Sequence, residues 1–232
     1  VAQYVVDVVV HIFERLRVSA DDYSRTLHRF SFSVGFPSFC SRLNLMSVLD
    51  DEKGSEILMT LYDKDIFPNT SNATDVVWKD RPTVKAVLFN DKNEIALIGN
   101  KVNDFFLLPG GGIEDNESVL DGIMRECREE TGCEIEILDM LGITEDFRLR
   151  DSKHCISFGY RARVISCGTP VLTEGEADVG AFVKWVSLPE AVELLRLQEK
   201  KVRAGEVGFY NTCFNTIRDS LFIRRAQDLV RQ

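Results

Sequence analysis

Residues 107–133 read LLPGGGIEDNESVLDGIMRECREETGC, and this stretch carries most of the information about the fold. Apolar residues run into a proline and three consecutive glycines, whose backbone can adopt positive φ and lie close to a bulky or charged neighbour. A polar residue, Asn116 or Ser118, can cap the helix that follows, and Gly132 is a typical residue beyond a helix C-terminus. The pattern predicts a strand, a tight loop and a helix over residues 117–131.

Three glutamates of this helix share one side. At 100° per residue, Glu126, Glu129 and Glu130 fall within a sector of about 100° that borders the apolar stripe. Crowded like charges at the edge of a core repel each other unless a positive group neutralises them, and Arg125 can pair with Glu129 but cannot serve all three. An E-x-x-E-E run alone is more often a salt-bridged surface helix. The glycine loop, and the room that Gly122 leaves for it to fold back, favour a Mg²⁺ or Mn²⁺ site instead.

The stretch resembles the signature of the Nudix hydrolase family, the Nudix box. The pattern G-x5-E-x7-R-E-U-x-E-E-x-G-U is matched at every fixed position by Gly111, Glu117, Arg125, Glu126, Glu129, Glu130 and Gly132. Cys127 and Cys133 fill the U positions, where Ile, Leu or Val is usual. The resemblance extends in pattern over residues 75–232 and implies an α/β fold, namely an α/β/α sandwich with a mixed β-sheet.

The resemblance also implies roles for the residues of the box. The metal ligands for Mg²⁺ or Mn²⁺ would be Glu126, Glu129, Glu130 and the carbonyl oxygen of Gly111. Glu117 and Arg125 would be orienting residues. The catalytic set would be Glu126, Glu129 and Arg125.

The implied activity is metal-dependent hydrolysis of the pyrophosphate linkage in a nucleoside diphosphate derivative. Bound metal neutralises phosphate oxygens and activates water, and a carboxylate must take the proton. Glu126 or Glu129 can be this base. Two candidates for this base lie outside the box, in the loop before a strand predicted over residues 180–187. They are Glu174 and Glu176, which could instead form an ordinary acidic loop. The alternative function is a non-catalytic nucleotide-binding or regulatory module, which a missing box glutamate would have favoured; none is missing.

Several side chains beyond the box are candidates for substrate binding. Tyr160 lies on a predicted strand, where it could stack on a base or belong to the core. A locally basic segment includes Arg148, Arg150, Lys153, Arg161 and Arg163. Of these, Arg161 and Arg163 are the candidate phosphate-binding residues. The same segment could instead be the solvated face of an edge strand.

The periodicity of the chain becomes regular only after residue 83. Period-two patterns and turn residues predict strands over residues 83–89, 94–99, 105–108, 133–141, 154–164 and 180–187, and amphipathic patterns predict helices over 188–201 and 209–230. Upstream, residues 67–75 have the composition of a linker. We therefore predict an N-terminal segment of unknown role over 1–74 and a Nudix domain over 75–232. Residues 1–58 are either an accessory element or a stretch translated upstream of a start at Met46 or Met59.

The composition narrows the range of partners. The 232 residues are 44% hydrophobic with a net charge of −9, which excludes a disordered chain and disfavours binding to duplex nucleic acid. The apolar residues 1–13 are too short to span a bilayer. We expect a cytoplasmic protein with a small-molecule nucleotide substrate, no membrane contact and possible homodimer formation.

The six cysteines contain no C-x-x-C pair. This spacing indicates neither a zinc site nor a redox motif. It predicts small buried thiols in a reducing compartment.

Overall fold

The computed structural model describes residues 56–70, 75–102 and 104–231. Its helices and strands are β1 Ile57–Tyr62, α1 Asp63–Ile66, β2 Lys79–Phe89, β3 Glu94–Gly99, β4 Phe106–Leu107, α2 Val119–Thr131, β5 Cys133–Arg148, β6 Lys153–Cys167, α3 Glu174–Asp178, β7 Phe182–Ser187, α4 Leu188–Arg203 and α5 Tyr210–Val230. A 3₁₀ turn, Leu149–Asp151, joins β5 to β6. In this part of the chain no helix has the length and apolar character needed to cross a membrane.

The strands form one mixed sheet. Their order is β1-β5-β6-β2-β3-β4, and β7 also pairs with β3. The pairs β1–β5 and β2–β6 are parallel, whereas β5–β6, β2–β3, β3–β4 and β3–β7 are antiparallel. The strands predicted over residues 83–89 and 94–99 are thus confirmed as the antiparallel pair β2 and β3.

Helices cover both faces of the central strand β2. Ala86, Val87 and Leu88 are successive residues and all are inaccessible to solvent, although the side chains of a strand alternate between its faces. Val87 belongs to a core cluster with Phe222 of α5 and Leu195 of α4. Helix α2 packs against β2 and β5. These layers confirm the predicted α/β fold with a mixed sheet.

Strands β5 and β6 are longer than predicted and pair along their lengths. The prediction ended the first of them at Leu141, before a glycine. In the structure Gly142 has φ of +134°, and the register with β6 shifts between Met140 and Gly142. The glycine therefore produces a β-bulge within one continuous strand instead of ending it.

The folded unit begins well before the predicted boundary at residue 74. β1 pairs in parallel with β5, and Leu61 and Ile66 are buried with Phe214 of α5. The buried carboxylate of Asp63 accepts hydrogen bonds from the backbone N–H of Leu149 and from the hydroxyl of Tyr210, each at 2.7 Å. Chain contacts define one compact unit over residues 55–232.

This placement corrects two expectations about the N-terminal part. Residues 56–70 belong to the sheet and its helices, and a start at Met59 would cut β1. The error arose because the partners of β1 lie about 80 residues further along the chain, where no local pattern can show them. Residues 1–55, and 71–74 of the expected linker, lie outside the described residues, so the role of the segment stays a prediction.

The expectation of free thiols is wrong for one pair of cysteines. Cys133 and Cys167 form a disulfide, because the antiparallel pairing of β5 with β6 places them opposite each other across 34 residues of sequence. Cys127, Cys155 and Cys213 are free and buried, as predicted. A reducing compartment was expected on the basis of free thiols, and the disulfide between Cys133 and Cys167 does not support that expectation.

Two substitutions on β1 test whether this strand is part of the fold. Leu61 is 5% exposed and Ile57 is 55% exposed. We expect Leu61→Ala to lower the free energy of unfolding by roughly 2–4 kcal/mol, because it leaves a cavity against α5. Ile57→Ala, the matched control on the same strand, should change it by less than about 0.5 kcal/mol. Urea unfolding measures both, and equal small effects would contradict the placement of β1.

Candidate active site

A cleft of about 480 Å³ lies between the glycine loop, the C-terminal half of α2 and the start of α3. The residues of the Nudix-box resemblance that line it are Gly111, Arg125, Glu126, Glu129 and Glu130. Other lining residues include Arg81, Gly112, Glu114, Thr173 and Glu176. The fold thus brings the three clustered glutamates of α2 to one concave surface.

Local capping fixes the position of α2. The side-chain oxygen of Ser118 accepts a hydrogen bond from the backbone N–H of Asp121 at 3.1 Å, so Ser118 is the N-cap of the two candidates. Gly132 ends the helix with φ of +74°, and its N–H donates to the carbonyl oxygen of Arg128. The glutamates therefore lie in the last two turns of the helix.

The glycine loop lies along the edge of β2. The N–H of Val84 donates to the carbonyl oxygen of Gly111 at 2.9 Å, and the N–H of Ala86 donates to that of Pro109 at 2.9 Å. A Cβ on Gly111 would lie 2.6 Å from Oε1 of Glu126, so only glycine lets the loop and the carboxylate approach this closely. Because Val84 occupies one lone pair of the Gly111 carbonyl, this predicted ligand can reach a metal only through the other.

Arg125 links the parts of the site. Its Nε and one terminal nitrogen donate to the carboxylate of Glu117 at 2.8 and 2.9 Å. The other terminal nitrogen donates to Glu126 at 2.8 Å and to Glu129 at 3.1 Å. The bond to Glu129, four residues further along the helix, is the pairing expected from the helical spacing. A fifth hydrogen bond, of 2.8 Å, reaches the carbonyl oxygen of Gly112. All five N–H groups of the guanidinium are engaged.

Burial makes the ionised carboxylates of the cleft costly. Desolvation raises the pKa of Glu126, against the opposing effect of Arg125. Desolvation also raises the pKa of Glu130, while the Lys85 ammonium and the N–H of Gly110 oppose that shift. By contrast, hydrogen bonds from Arg125 lower the pKa of Glu117. Arg125 thus satisfies Glu117, whereas Glu126 and Glu130 remain in need of positive charge.

The donor set fits a hard divalent cation. Glu126 and Glu129 each use one oxygen for Arg125, and Glu130 uses one for the N–H of Gly110 at 2.6 Å. The second oxygen of each carboxylate remains available, and oxygen-only ligands favour Mg²⁺ or Mn²⁺. Across residues 56–70, 75–102 and 104–231, no three acidic, histidine or cysteine side chains are already close enough to hold a metal ion.

The structure does not bring Tyr160, Arg161 and Arg163 to the cleft. Tyr160 is 2% exposed and belongs to the core. Arg161 forms an ion pair with Asp139 on β5. By strand alternation Arg161 and Arg163 share the face of Gly159, which the Phe222 ring of α5 covers. Their expected roles in substrate binding are corrected, because the alternation of a strand buried on both faces does not show from sequence which face carries the site.

Other members of the basic segment are also engaged within the fold. Arg148 is buried and pairs with Asp146. Arg150 lies 4.4 Å above the ring of Tyr210, and Lys153 pairs with Asp151 at 3.5 Å. Arg148, Arg150 and Lys153 are therefore engaged within the fold, whereas Arg163 is exposed.

Of the two acidic candidates outside the box, only Glu176 lines the cleft. Its carboxylate accepts a hydrogen bond of 2.7 Å from the N–H of Thr173, and the Thr173 hydroxyl caps the start of α3 in return. Glu174 lies in the first turn of the same short helix and is not part of the cleft lining. The capping box explains why Glu176 faces the cleft and Glu174 does not.

The space beside Gly122 is occupied differently from the prediction. A Cβ there would lie 3.2 Å from the Glu117 carboxylate and 3.5 Å from Ile113. The nearest neighbour of Gly122 is thus Glu117, not the loop at residues 110–112.

Two functional candidates were missed by the sequence analysis. Arg81 lines the cleft, and its guanidinium lies 3.1 Å from the position that a Cβ of Gly112 would take. Lys85 is a charged residue within the apolar strand TVKAVLF and is 6% exposed. A lone charge in an otherwise apolar strand was the available signal for Lys85. Arg81 precedes the regular pattern and gave no signal.

Known pyrophosphohydrolases are similar to this chain in sequence. An RNA pyrophosphohydrolase from Ruthia magnifica subsp. Calyptogena magnifica is 39% identical over 64 residues, which are 28% of this chain and 36% of that protein. An ADP-ribose pyrophosphatase from Methanocaldococcus jannaschii is 37% identical over 101 residues, which are 42% of this chain and 59% of that protein. The chain spans less than two thirds of either relative.

Structure comparison gives a similar neighbour. A NUDIX hydrolase from Nitrosomonas europaea aligns with 60% of this chain and 89% of its own, at 22% identity and a TM-score of 0.42. At the level of the family, the sequence matches the NUDIX domain over residues 79–207, which is more than half of the chain and includes the glycine loop, α2 and Glu176. This chain belongs to the NUDIX domain family.

Proposed function

We propose that this chain is a divalent-metal-dependent hydrolase that cleaves the phosphoanhydride bond of a small nucleoside diphosphate derivative. The observation that carries the proposal is the convergence of Glu126, Glu129 and Glu130 on one cleft whose central arginine has no free donor. Such a cleft needs a cation for charge balance, and phosphoanhydride cleavage needs the same cation.

The residues divide the chemical work between them. Glu126, Glu129 and Glu130 would hold Mg²⁺ or Mn²⁺, with the Gly111 carbonyl as a further ligand. When bound, the metal neutralises phosphate oxygens and lowers the pKa of water. Glu126 or Glu129 would take the proton of the attacking water; because Arg125 occupies one oxygen of each, the carboxylate that acts as base would use its other oxygen for the proton instead of for the metal. Arg125 keeps both carboxylates oriented through the hydrogen bonds described above.

Arg81 is suited to hold the phosphates of the substrate. It lines the cleft beside Gly112, and within the described residues no ion pair engages its guanidinium. Arginine donors match phosphate oxygens in geometry and charge. It takes the role that was expected of Arg161 and Arg163.

The names of two relatives support the proposed substrate class. Their names describe a pyrophosphate linkage attached to a nucleoside, in RNA and in ADP-ribose. The net charge of −9 disfavours a long polyanion, so we propose a small nucleotide in preference to RNA. The cytoplasmic location and the homodimer remain predictions.

Hydrolysis should depend on added metal. We expect phosphate or nucleotide release from a panel of ADP-ribose, nucleotide sugars, dinucleoside polyphosphates, nucleoside triphosphates and capped RNA only when Mg²⁺ or Mn²⁺ is present. Excess EDTA should abolish turnover because it removes the cation that neutralises the carboxylates and the substrate phosphates. Excess Mg²⁺ should restore turnover. Nucleotide binding without hydrolysis of any compound would favour the regulatory alternative, and full activity in chelator would contradict the metal site.

Removing one charge from the carboxylate cluster should reduce turnover. Glu129→Gln and Glu130→Gln should each lower kcat by on the order of 100-fold, because an amide is a weaker ligand for a hard cation. Glu134→Gln is the control, since Glu134 is exposed and pairs with Arg128 on the far side of the helix end. Steady-state kinetics at saturating Mg²⁺ measures the effect. A variant with the kcat of the wild type would remove its residue from the metal site.

Substitution of Arg81 should affect substrate affinity more than turnover. Arg81→Ala should raise KM by roughly tenfold, as expected from the loss of a charge-assisted hydrogen bond worth about 1.5 kcal/mol. Lys79→Ala removes an exposed cation from the same strand outside the cleft and should leave KM unchanged. An unchanged KM in Arg81→Ala would show that the phosphates bind elsewhere.

A further inference from the structure

Lys85 is a buried cation in the middle of the sheet. Its side chain projects from β2, where its neighbours Val84, Ala86 and Val87 are completely inaccessible. Burial lowers the pKa of Lys85, because the charged form loses its hydration. A lysine at such a position needs specific partners to offset that loss.

The partners of Lys85 are backbone groups of the glycine loop. Its Nζ donates to the carbonyl oxygen of Leu108 at 2.9 Å and also to that of Gly110. The N–H of Leu108 donates in turn to the buried carboxylate of Asp219 on α5 at 2.9 Å. Asp219 is itself held by the guanidinium of Arg218 at 2.8 Å. The start of the loop is therefore fixed by buried charges on both its donor and its acceptor side.

Gly110 carries this constraint to the carboxylate cluster. Its carbonyl oxygen is bound by Lys85, and its N–H donates to Glu130 at 2.6 Å. Its φ is +127°, and a Cβ would lie 2.2 Å from the carbonyl oxygen of Val84, so the peptide has little freedom to move. One residue thus connects the ammonium of Lys85 to an oxygen of Glu130.

We propose that Lys85 is a positioning residue for the carboxylate cluster. It holds residues 108–110 against β2, so that the N–H of Gly110 fixes the direction of Glu130. Lys85 does not contact the substrate; it acts through Gly110. The inference deepens the proposed function and rests on it for the identity of Glu130 as a ligand. Loss of groups that orient a metal ligand typically weakens metal binding by about 10–100-fold.

The test uses Lys85→Met, which keeps the side-chain length but removes the charge and the donors. Mn²⁺ affinity is measured by electron paramagnetic resonance, and amide hydrogen–deuterium exchange is measured at Leu108 and Gly110 in the full chain. We expect Mn²⁺ binding to weaken roughly tenfold or more. Exchange at both amides should accelerate, and kcat should fall at saturating Mn²⁺ with KM changed less than about twofold, because the substrate contacts remain.

Arg148→Met is the matched control. Arg148 is a cation with the same 6% exposure, but its partners are Asp146 on its own strand and the side-chain oxygens of Asn211 and Asn215 on α5, all outside the glycine loop. It should lower the melting temperature and leave Mn²⁺ affinity and loop exchange as in the wild type. Unchanged affinity and exchange in Lys85→Met, or the same changes in Arg148→Met, would overturn the proposal.

Two outcomes separate this inference from the proposed function. If the wild type binds Mn²⁺ but hydrolyses no nucleotide, the proposed function fails. The Mn²⁺ affinity of Lys85→Met relative to the wild type still tests the positioning role of Lys85. If the wild type binds no Mn²⁺, the positioning role of Lys85 is tested by amide exchange at Gly110 alone, compared between Lys85→Met and the wild type. Where Lys85→Met does not fold, Lys85→Gln, whose amide keeps a donor for one carbonyl, is held to the same criteria.

Discussion

The hydrogen bonds of the Arg125 guanidinium connect helix α2, the residues that precede it and the glycine loop. They join Glu117, which precedes the N-cap residue of α2, to the carboxylates of Glu126 and Glu129 within the helix. They also reach the carbonyl oxygen of Gly112 in the glycine loop. Charge-assisted hydrogen bonds of this kind are stronger than neutral ones, and a bidentate pair such as that of Arg125 with Glu117 also fixes the orientation of both side chains. Because all five donors are used within the protein, Arg125 organises the site without being available to a substrate.

The cleft consequently has more negative charge than its own arginine can compensate. Arg125 reaches Glu126 and Glu129 but not Glu130, whose protein partner is the N–H of Gly110. Lys85 supplies positive potential from beneath the loop, since its ammonium favours the ionised form of both Glu126 and Glu130. The remaining imbalance lies on the open side, where a cation and the phosphates beside Arg81 would complete the charge distribution.

Local patterns were sufficient to predict the parts of the fold in which the partners are close in sequence. The β2–β3 hairpin and the helix at Val119–Thr131 follow from alternation, turn residues and capping. β1 was missed because its pairing partner, β5, is distant in the chain, and the Cys133–Cys167 disulfide was missed for the same reason. For Tyr160 the strand was correct, and of the two alternatives, base stacking or core packing, the structure shows core packing, because its side chain is 2% exposed.

The site was predictable to the extent that one helix carries it. Helical periodicity alone places Glu126, Glu129 and Glu130 together, but it cannot show which backbone groups hold them. Lys85 conflicts with its apolar strand, and such local conflicts are expected where function imposes a constraint. The comparison with Arg148 shows what distinguishes the two buried cations. Arg148 pairs with Asp146 on its own strand and also donates to the side-chain oxygens of Asn211 and Asn215 on α5, so its burial is satisfied without the glycine loop. Lys85 is satisfied only while the glycine loop stays in place, and this dependence links the stability of the sheet to the geometry of the carboxylates.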